Sequence, residues 1–191
     1  DDENVEIGNH SHTHEYLVEE NTEDIKKDIL KSIKVFEERL GKNSSFFSYP
    51  FGEYSLEFKN IIKELGFKYA FGQHSGVIDE TKDFWELPRF PINEKYGKLE
   101  RFETLMKTLP LKYESIEPKD KYLLQSSNPP VVKIKFEKDI KNLKNITCFS
   151  NEGDKWRNSK TFFENNESMV IEISEKFLGE RGRINCSLKE K

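Results

Sequence analysis

The spacing of apolar residues changes character once along this chain, near residue 110, and that change limits the folds open to it. Before it, Ile25, Ile29, Ile33, Phe36 and Leu40 recur at helical spacing, with Thr22 placed to cap the start and Gly41 to end the run. Phe46 to Tyr49 reads as a short buried strand leading into a Pro50-Phe51-Gly52 turn. A second helical stretch follows, with Ser55 as cap, Phe58, Ile61, Ile62 and Leu65 apolar, and Gly66 as stop. Tyr69-Ala70-Phe71 is the next strand. This rhythm predicts an α/β fold with parallel strands, in which ligands collect at the carboxyl ends. From about Leu111 the period falls to two: 131–136 and 169–173 alternate, while Asn128-Pro129-Pro130 and 179–182 read as turns. With the runs 145–149 and 183–187, at least four short strands are expected, which suits a small antiparallel β-sandwich. The expected division is therefore an α/β domain over 1–110 and a β-rich accessory domain over 111–191.

The 191 residues suffice for one large or two small domains, and 15 phenylalanines compensate for a hydrophobic content of only 35%. With 31 basic against 35 acidic residues and no basic cluster, no nucleic-acid partner is expected. No run approaches the ~18–20 apolar residues of a membrane span. Cys148 and Cys186 each lie in a strand-like run; they read either as a disulfide of an exported protein or as two buried thiols. The segment 133–144 is lysine-rich and reads as a solvated face.

Three of the four histidines fall within five residues, in Gly8-Asn9-His10-Ser11-His12-Thr13-His14, beside the apolar Val5 and Ile7. If this segment starts a helix, His10 and His14 share one face and can close on a single divalent ion, with a carboxylate as third ligand. The plainer alternative is a polar cap loop with solvated histidines, since Ser11 and Thr13 are good cap residues. Gly72-Gln73-His74-Ser75-Gly76 follows a strand and would reach the same rim. There His74 is either a proton donor or an exposed histidine in a glycine turn. Arg89, in Leu87-Pro88-Arg89, either orients a carboxylate or makes a structural ion pair.

Gly-Asn-His-Ser-x-x-His, followed by the aromatic-Pro-aromatic-Gly of Tyr49 to Gly52, resembles the second and third motifs of the polysaccharide deacetylases. These are the NodB-homology domains of carbohydrate esterase family 4. The resemblance implies a distorted (β/α) barrel, of which this chain would hold a part, and metal-dependent removal of N-acetyl groups from an N-acetylglucosamine-containing polysaccharide. It makes His10 and His14 ligands of a divalent metal, Zn²⁺ being preferred, with Ser11 supporting their loop. Phe51 would offer its backbone N–H to the oxyanion, and His74 would protonate the departing amine. Arg89 matches an arginine that family members carry in such a Leu-Pro-Arg segment. Tyr49, Pro50 and Trp85 would line the substrate, with Tyr54 and Tyr96 as further stacking candidates.

The chain departs from the family pattern in three places. The first motif, Thr-Phe-Asp-Asp, supplies the base and a metal-binding Asp well upstream of the histidines, whereas nine residues precede His10 here, Asp1 and Asp2 among them. Ser48 stands where the third motif usually opens with Arg, a change shared with exopolysaccharide deacetylases acting on poly-N-acetylglucosamine. The late Leu-x-His motif has no obvious match. The expectation is the C-terminal part of an exported deacetylase, periplasmic or extracellular, inactive without the first motif. The alternative is a non-catalytic carbohydrate-binding or scaffold protein derived from the same fold. Missing barrel strands would expose edges, which leaves homo-oligomer formation open.

Overall fold

In the computed structural model, which describes residues 4–153 and 155–189, the first helix, α1, spans Thr22–Leu40. Its cap is Asn21 rather than Thr22: the Asn21 side chain accepts the Asp24 N–H, satisfying one of the orphan donors of the first turn. Gly41 ends the helix at φ 72°, the left-handed conformation that glycine adopts without a Cβ penalty. The second helix, α2, spans Leu56–Glu64, and Ser55 caps it by accepting the Phe58 N–H.

Strands β1 (Phe46–Ser48) and β2 (Tyr69–Phe71) pair in parallel, with Phe47 opposite Ala70. Two single residues extend the array on either side, Asn9 pairing with Phe47 and Leu87 with Phe71, both in parallel. The apolar segment around Val5 and Ile7 forms no strand. Both side chains are exposed, and only Asn9 reaches the sheet, donating to Phe46 O at 2.8 Å and accepting from Ser48 N–H at 2.9 Å. The segment around Trp85 likewise supplies one pairing residue, Leu87, and no full strand.

Ile25 and Ile29 of α1 and Phe58, Ile61 and Ile62 of α2 are buried with Phe47 and Ala70 of the strands in one cluster. Each helix thus buries the stripe its periodicity defines. Phe47 lies among aromatic rings, 5.2 Å from Phe67, 5.3 Å from Tyr49 and 6.1 Å from Phe58 between centroids. Lys59 of α2 pairs with Asp83 at 2.8 Å and Glu86 at 2.9 Å, which ties the segment before Leu87 to the helix. A third helix, α3 (Leu99–Met106), was not apparent from periodicity and buries none of its residues.

The unit Leu111–Lys191 is built of antiparallel strands: β3 (Tyr113–Glu117), β4 (Val132–Phe136), β5 (Thr147–Glu152), β6 (Lys155–Asn158), β7 (Lys160–Phe163), β8 (Ser168–Glu172) and β9 (Ile184–Ser187). They form two sheets, ordered β3-β4-β8-β7 and β6-β5-β9. The inward residues of both, including Val132, Ile134, Phe136, Cys148, Met169 and Ile171, make a single core cluster. A disulfide joins Cys148 to Cys186, which face each other on β5 and β9. Glu152 is buried at the end of β5, accepting from Ser150 Oγ–H and from the Glu175 N–H, both at 2.6 Å. Burial alone would raise its carboxyl; those bonds, another from the Ser174 N–H, and the nearby Arg157 charge outweigh it and hold the group below the ordinary carboxylate range.

Candidate active site

The parallel pairing fixes which segments meet. Asn9, β1, β2 and Leu87 run in one direction, so the residues after each leave from the same edge. Those are the histidine segment, Tyr49 to Gly52, Gly72 to His74, and Pro88 with Arg89. Carboxyl ends of parallel strands are where α/β folds place their ligands.

The histidine segment is a turn and not a helix start. Ser11 and His14 have φ of 69° and 58°, a left-handed conformation that costs a non-glycine residue roughly 1–2 kcal/mol. Local bonds hold it there. Asn9, almost wholly buried, accepts from the Ser11 N–H at 3.2 Å and from the Ser32 hydroxyl at 3.0 Å. Ser11 Oγ accepts the His14 N–H at 3.1 Å, which gives Ser11 a supporting part in the loop. The largest contribution comes from Asp28 on α1. Its carboxylate accepts the His12 N–H at 2.9 Å, the Thr13 N–H at 3.1 Å and the Thr13 hydroxyl at 2.7 Å. Asp28 and the Ser48 carbonyl escaped the sequence reading. The signal for Asp28 was present: a carboxylate between Ile25 and Ile29 on a buried helix face needs partners.

The turn, rather than a helical face, brings His10 and His14 together, with ring centroids 4.9 Å apart. His10 Nδ1 donates to the Ser48 carbonyl at 2.6 Å. A carbonyl can only accept, so the proton sits on Nδ1 and the lone pair on Nε2 is left for a ligand. Two imidazoles on one tetrahedral ion, with Zn–N bonds of about 2 Å, place their ring centres roughly 5 Å apart. The pair therefore suits two positions of such a site. Among the described residues no group of three histidine, cysteine or carboxylate side chains converges to hold a metal. Asp1 and Asp2 lie outside the described residues.

The turn after β1 sits against this pair. Phe51 is half-exposed at φ 57°, its ring 4.8 Å from that of His14 and 5.7 Å from that of Tyr16. Gly52 follows at φ 75°, and a Cβ there would fall 2.4 Å from Gln73 Cγ, so only glycine lets the turns after β1 and β2 touch. Pro50 is buried, and Tyr49 is wholly so. The Tyr49 hydroxyl donates to the Trp85 carbonyl at 2.8 Å. Burial, with Tyr54 and the carboxylates of Asp83 and Glu86 nearby, holds its phenol far above the ordinary range. Tyr49 and Pro50, expected at the substrate, thus support the turn from beneath, because the strand's alternation turns Phe47 and Tyr49 into the core.

Trp85 packs partly against that core, donates its Nε1–H to Phe67 O at 2.8 Å, and carries Lys63 Nζ 4.4 Å from its ring centroid. These contacts give it a packing role in place of the expected sugar platform. His74 is exposed, its ring centroid 6.2 Å from that of Tyr54. Its carbonyl accepts the Arg89 N–H at 2.9 Å, and Arg89 Nε donates to Gly72 O at 2.8 Å. Arg89 thereby braces the loop that bears His74.

Fold and site together define a parallel α/β unit with a braced pair of imidazoles at its strand ends. Residues 1–70 match the model of the polysaccharide deacetylase family. Two solved structures are similar. One is the Streptococcus pyogenes deacetylase PplD in complex with acetate, at 19% identity over 53% of this chain and 44% of that one, with a TM-score of 0.49. The other is a de-N-acetylase from Aggregatibacter actinomycetemcomitans, at 15% identity over 44% of this chain and 31% of that one, with a TM-score of 0.39. The chain spans less than half the length of either. No curated protein sequence matches it significantly. Among the described residues no helix is long and apolar enough to cross a membrane.

Proposed function

We propose that this chain carries part of the active site of a metal-dependent deacetylase that hydrolyses N-acetyl groups of an N-acetylglucosamine-containing polysaccharide. The observation that carries the reading is the imidazole pair: His10 with its Nδ1 proton committed to Ser48, and His14 a ring's width away. His10 and His14 would hold a divalent ion, Zn²⁺ being preferred, which when bound supplies Lewis acidity to the acetamide carbonyl and to water. Phe51 presents its backbone N–H to the developing oxyanion. His74 donates the proton that the departing amine takes up, and Arg89 fixes its loop. The third metal ligand and the base that accepts water's proton are assigned to aspartates of the kind the family's first motif carries. Ser48 in place of the family's usual Arg favours poly-N-acetylglucosamine exopolysaccharides as substrate.

We read the parallel array as a part of a (β/α) barrel, and the two antiparallel sheets as a sandwich. The Cys148–Cys186 bond suits an oxidising compartment and hence an exported protein.

The test is acetate release from N-acetylglucosamine oligomers, by this chain and by a protein that also carries a Thr-Phe-Asp-Asp segment. The expected outcome is release by the longer form alone, reduced by at least about a hundredfold in His10→Ala and in His14→Ala. No release by either form, or release untouched by both substitutions, would contradict the reading.

A further inference from the structure

Helix α3 buries none of its residues, yet once wound as a helix its apolar side chains fall on one stripe. Leu99, Phe102 and Met106 are 70%, 45% and 71% exposed, and Leu109, at 67%, continues the same spacing past the last turn. Steps of three, four and three are those of the a and d positions of a heptad, the seam along which one helix packs on another. A different side of α3 is held to its own chain. There Arg101 donates to the carbonyls of Pro91 at 3.0 Å and Tyr96 at 2.9 Å, and Leu105 is half-buried.

The charges that flank the stripe specify the second helix. With Leu99 at a and Phe102 at d, Lys98 takes a g position on one side and Glu103 an e position on the other. Both are exposed, and among the described residues neither has an ion-pair partner within the chain. In a parallel pair of helices a g residue meets the partner's e residue five positions on. Lys98 of each copy then meets Glu103 of the other, and the two-fold axis makes that pair twice. Antiparallel docking sets e against e, and so Glu103 against Glu103.

From this match we infer that α3 is a self-association surface, which docks in parallel on α3 of a second copy of this chain. The remaining charges favour no anionic lipid surface: Lys98 and Lys107 are balanced by Glu100 and Glu103, while Arg101 is committed to carbonyls. Eight residues make a seam only about 12 Å long. The dimer is therefore one that forms with rising concentration, and not a permanent one.

Sedimentation equilibrium of the full chain at low ionic strength, from micromolar to millimolar loading, tests it. The expected result is a monomer–dimer equilibrium, weakened at least about tenfold in Phe102→Ala. Lys98→Glu and Glu103→Lys should each weaken it about tenfold, since each turns two attractive pairs into two repulsive ones. Mixing those two charge variants should restore association to the wild-type level, because each then meets its complement. Lys133→Ala should leave it unchanged. A chain that stays monomeric at millimolar concentration, a dimer indifferent to Phe102→Ala, or charge variants that mixing does not rescue would overturn the inference. So would Phe102-dependent binding to anionic phospholipid vesicles by a chain that does not self-associate, which would give the face to a membrane.

Discussion

If His10 and His14 hold Zn²⁺ as proposed, replacing Asp28 by alanine should weaken its binding by about tenfold or more, the usual cost of losing a residue that orients metal ligands, although Asp28 is bonded to neither ring. The reason is the turn it clamps. Two of its residues, Ser11 and His14, hold left-handed backbone angles that the chain would leave if nothing opposed it. Asp28 opposes it with three accepted hydrogen bonds from His12 and Thr13. Each stranded donor costs about 1–3 kcal/mol when buried, and less where water reaches it, as at Thr13. The metal-free protein should therefore lose about 3 kcal/mol of stability. Asp28→Asn separates packing from hydrogen bonding. It keeps the shape but aims an N–H₂ at donors, so it should fall between wild type and alanine in Zn²⁺ affinity. Calorimetric Zn²⁺ titration, set beside thermal unfolding of the metal-free chain, measures both effects. Unchanged affinity in Asp28→Ala would show that the turn holds itself.

The second large effect lies in the other unit. Cys148 and Cys186 are 38 residues apart in sequence, and closing a loop of that length restricts the unfolded chain by about 4 kcal/mol in the chain-entropy account. The bond also joins facing residues of β5 and β9, so cutting it frees a strand that is only four residues long. The Cys148→Ser/Cys186→Ser double variant should lose about a thousandfold of amide-exchange protection on β5 and β9, the same free energy read as an equilibrium constant. Protection that survives in the double variant would mean that strand pairing and the core cluster hold the sheet unaided.

What the sequence made legible follows the range of the interactions involved. The helices α1 and α2 announced themselves because Ile25, Ile29, Phe58 and Ile62 repeat with the helical period on a buried face. The shift to alternation near residue 110 coincides with the observed split between Asp1–Pro110 and Leu111–Lys191. Strands β3, β6 and β7 were not apparent: β6 and β7 have four residues each, and their alternation is diluted by Lys155, Arg157 and Lys160. Helix α3 was missed because its apolar residues, Leu99, Phe102 and Met106, remain exposed and follow no buried stripe. At the site, the histidines stood out by residue type, but their backbone did not. Helical spacing is one way to bring residues four apart together, and positive φ at Ser11 and His14 is another. Only the contacts with Asp28, Asn9 and Ser48, distant in sequence, select between them. Tyr49 was misassigned because its motif, and not its strand alternation, was given the greater weight.

The most direct test of the account is the metal stoichiometry of this chain after equilibrium dialysis against Zn²⁺. The account predicts one ion per chain, lost in His10→Ala and in His14→Ala and retained in His12→Ala, whose exposed ring belongs to neither half of the pair. Zn²⁺ that persists when both His10 and His14 are replaced, or that departs equally with His12, would contradict it.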